Sequence, residues 1–187
     1  MDYVLKYTFL ILSITLISSC ASLNESECKN GNWRQIGEVD GKKGATLASL
    51  SFHQKACAKY DISVNAGQYK DGRKKGLKLY CHPKNGLKIG LRGLSYLGVC
   101  SSTSFKKNYE FGKNIFVIQE KIARVENEIL RLENLLDAKT FTKSRRHTIR
   151  NQIRIKKRDL RLHKNRLLIY EATRSEILSE MAEIIPK

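Results

Sequence analysis

From Ile115 to Leu136 the apolar residues recur at alternating steps of three and four: Ile115, Ile118, Ile122, Val125, Ile129, Leu132 and Leu136. That period is the seam of a coiled-coil-like helix, and at 1.5 Å per residue the stripe is about 33 Å long. The pattern breaks between Asp137 and Ser144, where Thr142 or Ser144 is placed to cap a new helix. Ile149, Ile153, Leu160, Leu167, Tyr170, Ile177 and Met181 then hold one helical register, but Lys156, His163 and Arg174 fall in it too. Two antiparallel helices closing on each other account for both stripes, the second seam being weaker and more polar. An extended parallel dimer is the alternative.

Between Cys28 and Cys100 the pattern is different. Trp33, Ile36, Leu47 and Leu50 keep a helical spacing, as do Leu77, Tyr80 and Cys81 in a segment that Asn65 is placed to cap. Asn85-Gly86 after Pro83 marks a turn or the cap of another short helix. Gly37 and Gly41, Gly72 and Gly76, and Gly86 and Gly90 each repeat at four residues. On helices those pairs make flat faces that let backbones approach, at ~1 kcal/mol of helix propensity per glycine relative to alanine. Trp33, Tyr69, Tyr80 and Tyr96 are expected to pack against such faces. A β-hairpin reading of Tyr69, Gly72 and Gly76 stays open behind the helical one. The expected fold class is therefore mostly α: a small Gly-rich, disulfide-stapled helical module over residues 28–104, then a long antiparallel helical hairpin over 105–187.

The N-terminus supplies a compartment. Lys6 and the free amine precede a nearly unbroken apolar run from Tyr7 to Ile17. Such a run is too short for a membrane span, which takes about 20 residues, and suits the apolar region of a signal peptide. It ends Leu16-Ile17-Ser18-Ser19-Cys20, which resembles a lipobox. Residues 1–19 are thus expected to be a lipoprotein signal peptide, Cys20 the lipidation site, and residues 20–27 a polar tether. Ser22, in place of an inner-membrane-retaining Asp, favours the outer membrane with the folded part facing the periplasm. An ordinary secretory signal is the alternative.

Export changes the meaning of the other cysteines. Cys28, Cys57, Cys81 and Cys100 are an even set in an oxidising compartment, so two disulfides are expected, each contributing about 3 to 4 kcal/mol. Spacing does not choose among the three pairings. A metal site drawing on His53, Cys57, Cys81 and His82 is the competing reading, and the adjacent Cys81-His82 fits structural zinc spacings poorly. No metal or other cofactor is expected.

The charge adds a second clue. Lys and Arg number 35 against 18 Asp and Glu, for a formal net charge of +17. Ten of these cations fall between Arg145 and Arg166, with Asp159 the only acid among them. Arg145, Arg146, Arg150, Arg154, Lys157, Arg158, Arg161 and Lys164 are the expected contacts to an anionic envelope component or a protein partner. Behind a lipobox, nucleic acid is not expected. The plainer alternative is a solvated helix neutralised by Glu120, Glu126, Glu128 and Glu133 of the first helix.

The series Cys28, Trp33, Ile36-Gly37, Asp40-Gly41, Gly44, His53, Cys57, Tyr69, Gly72-Arg73, Gly76-Leu77, Tyr80-Cys81, Pro83, Asn85-Gly86, Gly90, Gly93, Tyr96 and Gly98-Val99-Cys100 resembles the bacterial lipoprotein family called domain of unknown function 2799. The resemblance extends over the whole chain after the signal, charged tail included. It implies envelope localisation and a shared fold, and no activity. The residues themselves contain no G-x-S-x-G, no H-E-x-x-H and no phosphate-cradling loop. A triad of Asp40, His53 and a serine such as Ser95 can be drawn on paper, as in any chain of this length. A non-enzymatic envelope lipoprotein, structural or binding, is the leading expectation. The alternative is an enzyme acting on cell-wall or lipid material, which would need a pocket around Asp40, His53 and Asn85.

Overall fold

The computed structural model describes residues 23–137 and 141–183. The expected signal peptide and Cys20 lie outside the described residues. Seven helices are described: α1 (Glu25–Asn30), α2 (Trp33–Lys42), α3 (Ala48–Ala58), α4 (Ala66–Tyr80), α5 (Pro83–Leu91), α6 (Thr103–Asp137) and α7 (Lys143–Glu183). No strand occurs among the described residues, so the glycine-rich segment is helical and not a hairpin. The chain divides into two compact units within α4, after Leu77. The expected boundary at 104–105 falls inside the second unit, because Phe105 and the partly buried Tyr109 pack with Ile89 and Cys100.

In the first unit, asparagines start three helices. Asn24 accepts from the Glu27 N–H and donates its own N–H to the Glu27 carboxylate, both at 2.8 Å. Asn32 accepts from Gln35 N–H and Asn65 from Gln68 N–H, each at 3.0 Å. Each side chain satisfies an amide that the first helical turn leaves unpaired. Gly44, at φ +73°, turns the chain after α2. The core is Cys28, Trp33, Leu50, Cys57 and Tyr69, and a disulfide joins Cys28 of α1 to Cys57 of α3.

Glycine fixes how closely α2 and α4 approach. A Cβ on Gly37 would collide with the Tyr69 carbonyl, and one on Gly72 with the Arg34 carbonyl. The flat faces read from the four-residue spacing are thus used against each other, and the exposed Arg34 and Asp71 pair beside them at 3.6 Å.

The second unit repeats the device. Pro83 sits in the first turn of α5, where no amide is lost, and His82 Nδ1 accepts from Lys84 N–H at 3.3 Å. Gly90 and Gly112 bring α5 against α6: a Cβ on Gly90 would lie 3.1 Å from the Gly112 carbonyl carbon. Cys81 and Cys100 form the second disulfide, around a core of Ile89, Cys100 and Phe105 with Tyr80 and Tyr96 against it. Burial pushes the Tyr80 phenol above its ordinary range, with Tyr96 and Tyr109 adding to the effect.

The hairpin forms as the seams predict. Ile115, Ile118, Ile122, Ile129 and Leu132 are buried on α6, and Ile149 and Ile153 on α7. Beyond Ile153 the α7 seam is only half-buried, at Lys156, Leu160, His163, Leu167, Tyr170 and Arg174 alike. The polar positions make this end of the seam incomplete. Thr142 is the cap, its hydroxyl accepting from Arg145 N–H at 3.3 Å, while Ser144 lies within α7. No helix among the described residues is long and apolar enough to cross a membrane.

Candidate functional site

Two groups of chemistry-bearing side chains are brought together, one in each unit. In the first, Asp40 of α2 accepts two hydrogen bonds on the same oxygen. His53 Nε2 of α3 lies 2.9 Å from Asp40 Oδ2, and the Tyr69 hydroxyl of α4 donates to it at 2.7 Å. The imidazole is flanked by rings, with centroids 5.6 Å away at Tyr69 and 6.2 Å at Trp33. Tyr69 is wholly buried, and burial raises its phenol well above the ordinary tyrosine range, the Asp40 carboxylate adding to it. One carboxylate therefore ties three helices.

The paper triad is thus half present. Asp40 and His53 do meet, but the third partner is a buried tyrosine with no nucleophilic role in view. Ser95 belongs to the other compact unit. The Asn85 amide is spent on the Tyr80 carbonyl at 2.7 Å, closing the C-terminus of α4. A hollow of about 400 Å³ is lined by Leu23, Ser26, Glu27, Asn30, Gly31 and Ile36, not by Asp40 or His53. The thiols of Cys57 and Cys81 are consumed in disulfides, so neither is available as a metal thiolate. Among the described residues no three His, Cys, Asp or Glu side chains cluster to hold a metal ion.

The second group is the basic stretch of α7, and the hairpin sorts its cations into two sets. Lys156 pairs with Glu128 at 2.7 Å, Lys157 with Glu133 at 2.6 Å and Lys164 with Glu126 at 2.7 Å. Arg146 reaches back across the hairpin turn, donating to the carbonyls of Leu136 at 3.2 Å and Phe141 at 3.3 Å. There it offsets the negative end of the α6 dipole. Of the residues read as anion contacts, Arg146, Lys157 and Lys164 are therefore engaged within the hairpin. Arg145, Arg150, Arg154, Arg158 and Arg161 remain exposed, and no acid among the described residues pairs with them. Partial neutralisation by the first helix comes from Glu126, Glu128 and Glu133.

Sequence reasoning missed what lies beside those arginines. Ile155, Leu162, Leu168 and Ile169 are 48%, 61%, 68% and 68% exposed. Their seven-residue recurrence at 155, 162 and 169 was the signal in the sequence.

Helices locked by glycine contacts and two disulfides, followed by a long antiparallel hairpin with one basic face, define an all-α stapled protein. Residues 32–114 match the sequence model of the family described as "Protein of unknown function (DUF2799)". The match ends within α6, so it is narrower than the resemblance read from the residues: Cys28 and the rest of the hairpin lie outside it. No curated protein and no solved structure matches the chain.

Proposed function

We propose that this is a lipid-anchored envelope protein, acylated on Cys20, that faces the periplasm from the outer membrane and binds an anionic envelope component through α7 without catalysing a reaction. The observation that carries the binding role is the arginine face. Three lysines of α7 find acidic partners on α6, yet Arg150, Arg154, Arg158 and Arg161 stay exposed and unneutralised. Exposed like charges on one face cost stability through mutual repulsion, and an anionic partner would relieve it. The disulfides support export, since such bridges persist in oxidising compartments. The lipobox-like run before Cys20 supports the anchor.

Retention on lipopolysaccharide, anionic vesicles and purified cell wall, measured across salt, tests the binding. Attraction of this kind fades over a Debye length of ~8 Å at physiological ionic strength, so retention should fall steeply as salt rises. Changing Arg154, Arg158 and Arg161 together to Gln should weaken it strongly. Equal retention of variant and parent would remove the reading. The anchor is tested separately: Cys20→Ala should abolish incorporation of labelled palmitate, and continued incorporation would mean a different anchor.

A further inference from the structure

Arg158 lies three residues after Ile155 and four before Leu162, and Arg166 lies four after Leu162 and three before Ile169. Those steps put all five side chains on one strip of α7, about 21 Å long from Ile155 to Ile169. From Arg158 to Ile169 the strip looks away from α6, whose side of α7 carries Ile149, Ile153 and Leu160, while Ile155 borders α6 at a hollow shared with Glu128, Arg131 and Leu132. Its apolar members are exposed, at 48% for Ile155, 61% for Leu162 and 68% for Ile169.

We propose that this strip lies flat in the boundary between headgroups and acyl chains of an anionic membrane, with Ile155, Leu162 and Ile169 in the apolar layer and the arginines on lipid phosphates. The proposal rests on the anionic-partner reading above and narrows it to a lipid surface. Charge and apolarity together choose the occupant. A second copy of the same face would set arginine against arginine. A soluble polyanion would take the arginines and leave three large aliphatic side chains in water. A bilayer interface accepts both, because a helix with basic and apolar residues on one surface gains from headgroup attraction and from burial at once.

The test uses the full chain with Leu162→Trp, anchored in vesicles of phosphatidylethanolamine alone or mixed with phosphatidylglycerol. Trp33 is buried at 6% exposure and contributes a constant background. In the mixed vesicles the emission from position 162 should shift to the blue and be quenched by brominated acyl chains. Adding Arg158→Gln and Arg166→Gln, or raising the salt, should return it to the water-exposed signal. Emission that stays water-like and unquenched in both vesicle types overturns the membrane proposal. If the triple Gln change at Arg154, Arg158 and Arg161 still weakens salt-sensitive retention on cell wall in that case, the anionic-partner reading stands without it. If that change has no effect there either, both fall.

Discussion

Gly41 and Gly76 face each other where α2 meets α4. A Cβ built on Gly41 would lie 3.0 Å from the Cα of Gly76, and one on Gly76 would lie 2.9 Å from the Cα of Gly41. The neighbouring atoms are backbone, which does not rotate out of the way, so these two helices can sit this close only without side chains. Each such glycine gives up helix propensity, and the contact it permits offsets that loss.

That relationship separates two glycines of the same helix. Gly76→Ala should destabilise the protein by about 1 to 3 kcal/mol, the range for forcing atoms into a packed core. Gly67, by contrast, has only the Asn65 side chain within 4 Å of an added Cβ, at 3.5 Å. Gly67→Ala should be neutral or stabilise by about 0.5 kcal/mol, through the unfolded chain. Urea unfolding midpoints of the two variants check the pair, and equal effects would mean that the α2–α4 contact is looser than described.

How much of this was legible beforehand depended on whether the signal was local. The α6 seam, the Asn65 cap, a cap at Thr142 or Ser144 and the flat glycine faces were readable because each rests on spacing within a helix. The pairing of Cys28 with Cys57 and of Cys81 with Cys100 was not, because pairing depends on tertiary contacts that spacing does not encode. Asp40 and His53 could be written down as a pair only by chance, and Tyr69, 29 residues from Asp40, was absent from the set. A tyrosine in a glycine-lined helix face needs a partner for its hydroxyl, and that requirement was the missed clue. The division of α7 between paired lysines and exposed arginines follows from which residues of α6 stand opposite, and net charge carries no such information.

The two disulfides close loops of 29 and 19 residues' separation, one in each compact unit. Chain entropy assigns about 3 to 4 kcal/mol to each. Paired replacement of Cys28 and Cys57 by Ser should therefore lower stability by that order, and so should replacement of Cys81 and Cys100. Thiol titration of the native protein should find none of these four free before reduction. Two or more free thiols among them would contradict the pairing.

The polar end of the hairpin seam has a specific weak point. Arg174 Nη1 pairs with Glu171 at 2.8 Å on the same helix, but its Nε is buried without a hydrogen-bond partner. A buried donor left unpaired costs about 1 to 3 kcal/mol, and an apolar side chain of similar length removes that cost. Arg174→Met should raise stability by about 1 kcal/mol, less than the full penalty because Glu171 loses its cation. A lower denaturation midpoint for the variant would show that the guanidinium contributes more than it costs.

Acid and alkali should act on different residues of the first unit, in opposite senses. Hydrogen bonds from Lys42 at 2.7 Å and Lys75 at 2.8 Å hold the Glu38 carboxyl down to about 2 from an ordinary 4.5. A lowered carboxyl contributes stability that is present above the unfolded value and lost as pH falls, so its share should disappear between about 4.5 and about 2. Tyr69 is shifted the other way, raised from 10.0 by burial first and by Asp40 second. Its contribution is complete below pH 10.0 and declines as pH rises toward the folded value, because the unfolded chain ionises first. Glu38→Gln should flatten the acid limb of a plot of stability against pH and leave the alkaline limb alone. Tyr69→Phe should flatten the alkaline limb, at the cost of one hydrogen bond to Asp40 at every pH. A single limb moved by both variants would mean that the two sites are coupled through Asp40, which lies two residues after Glu38 on α2.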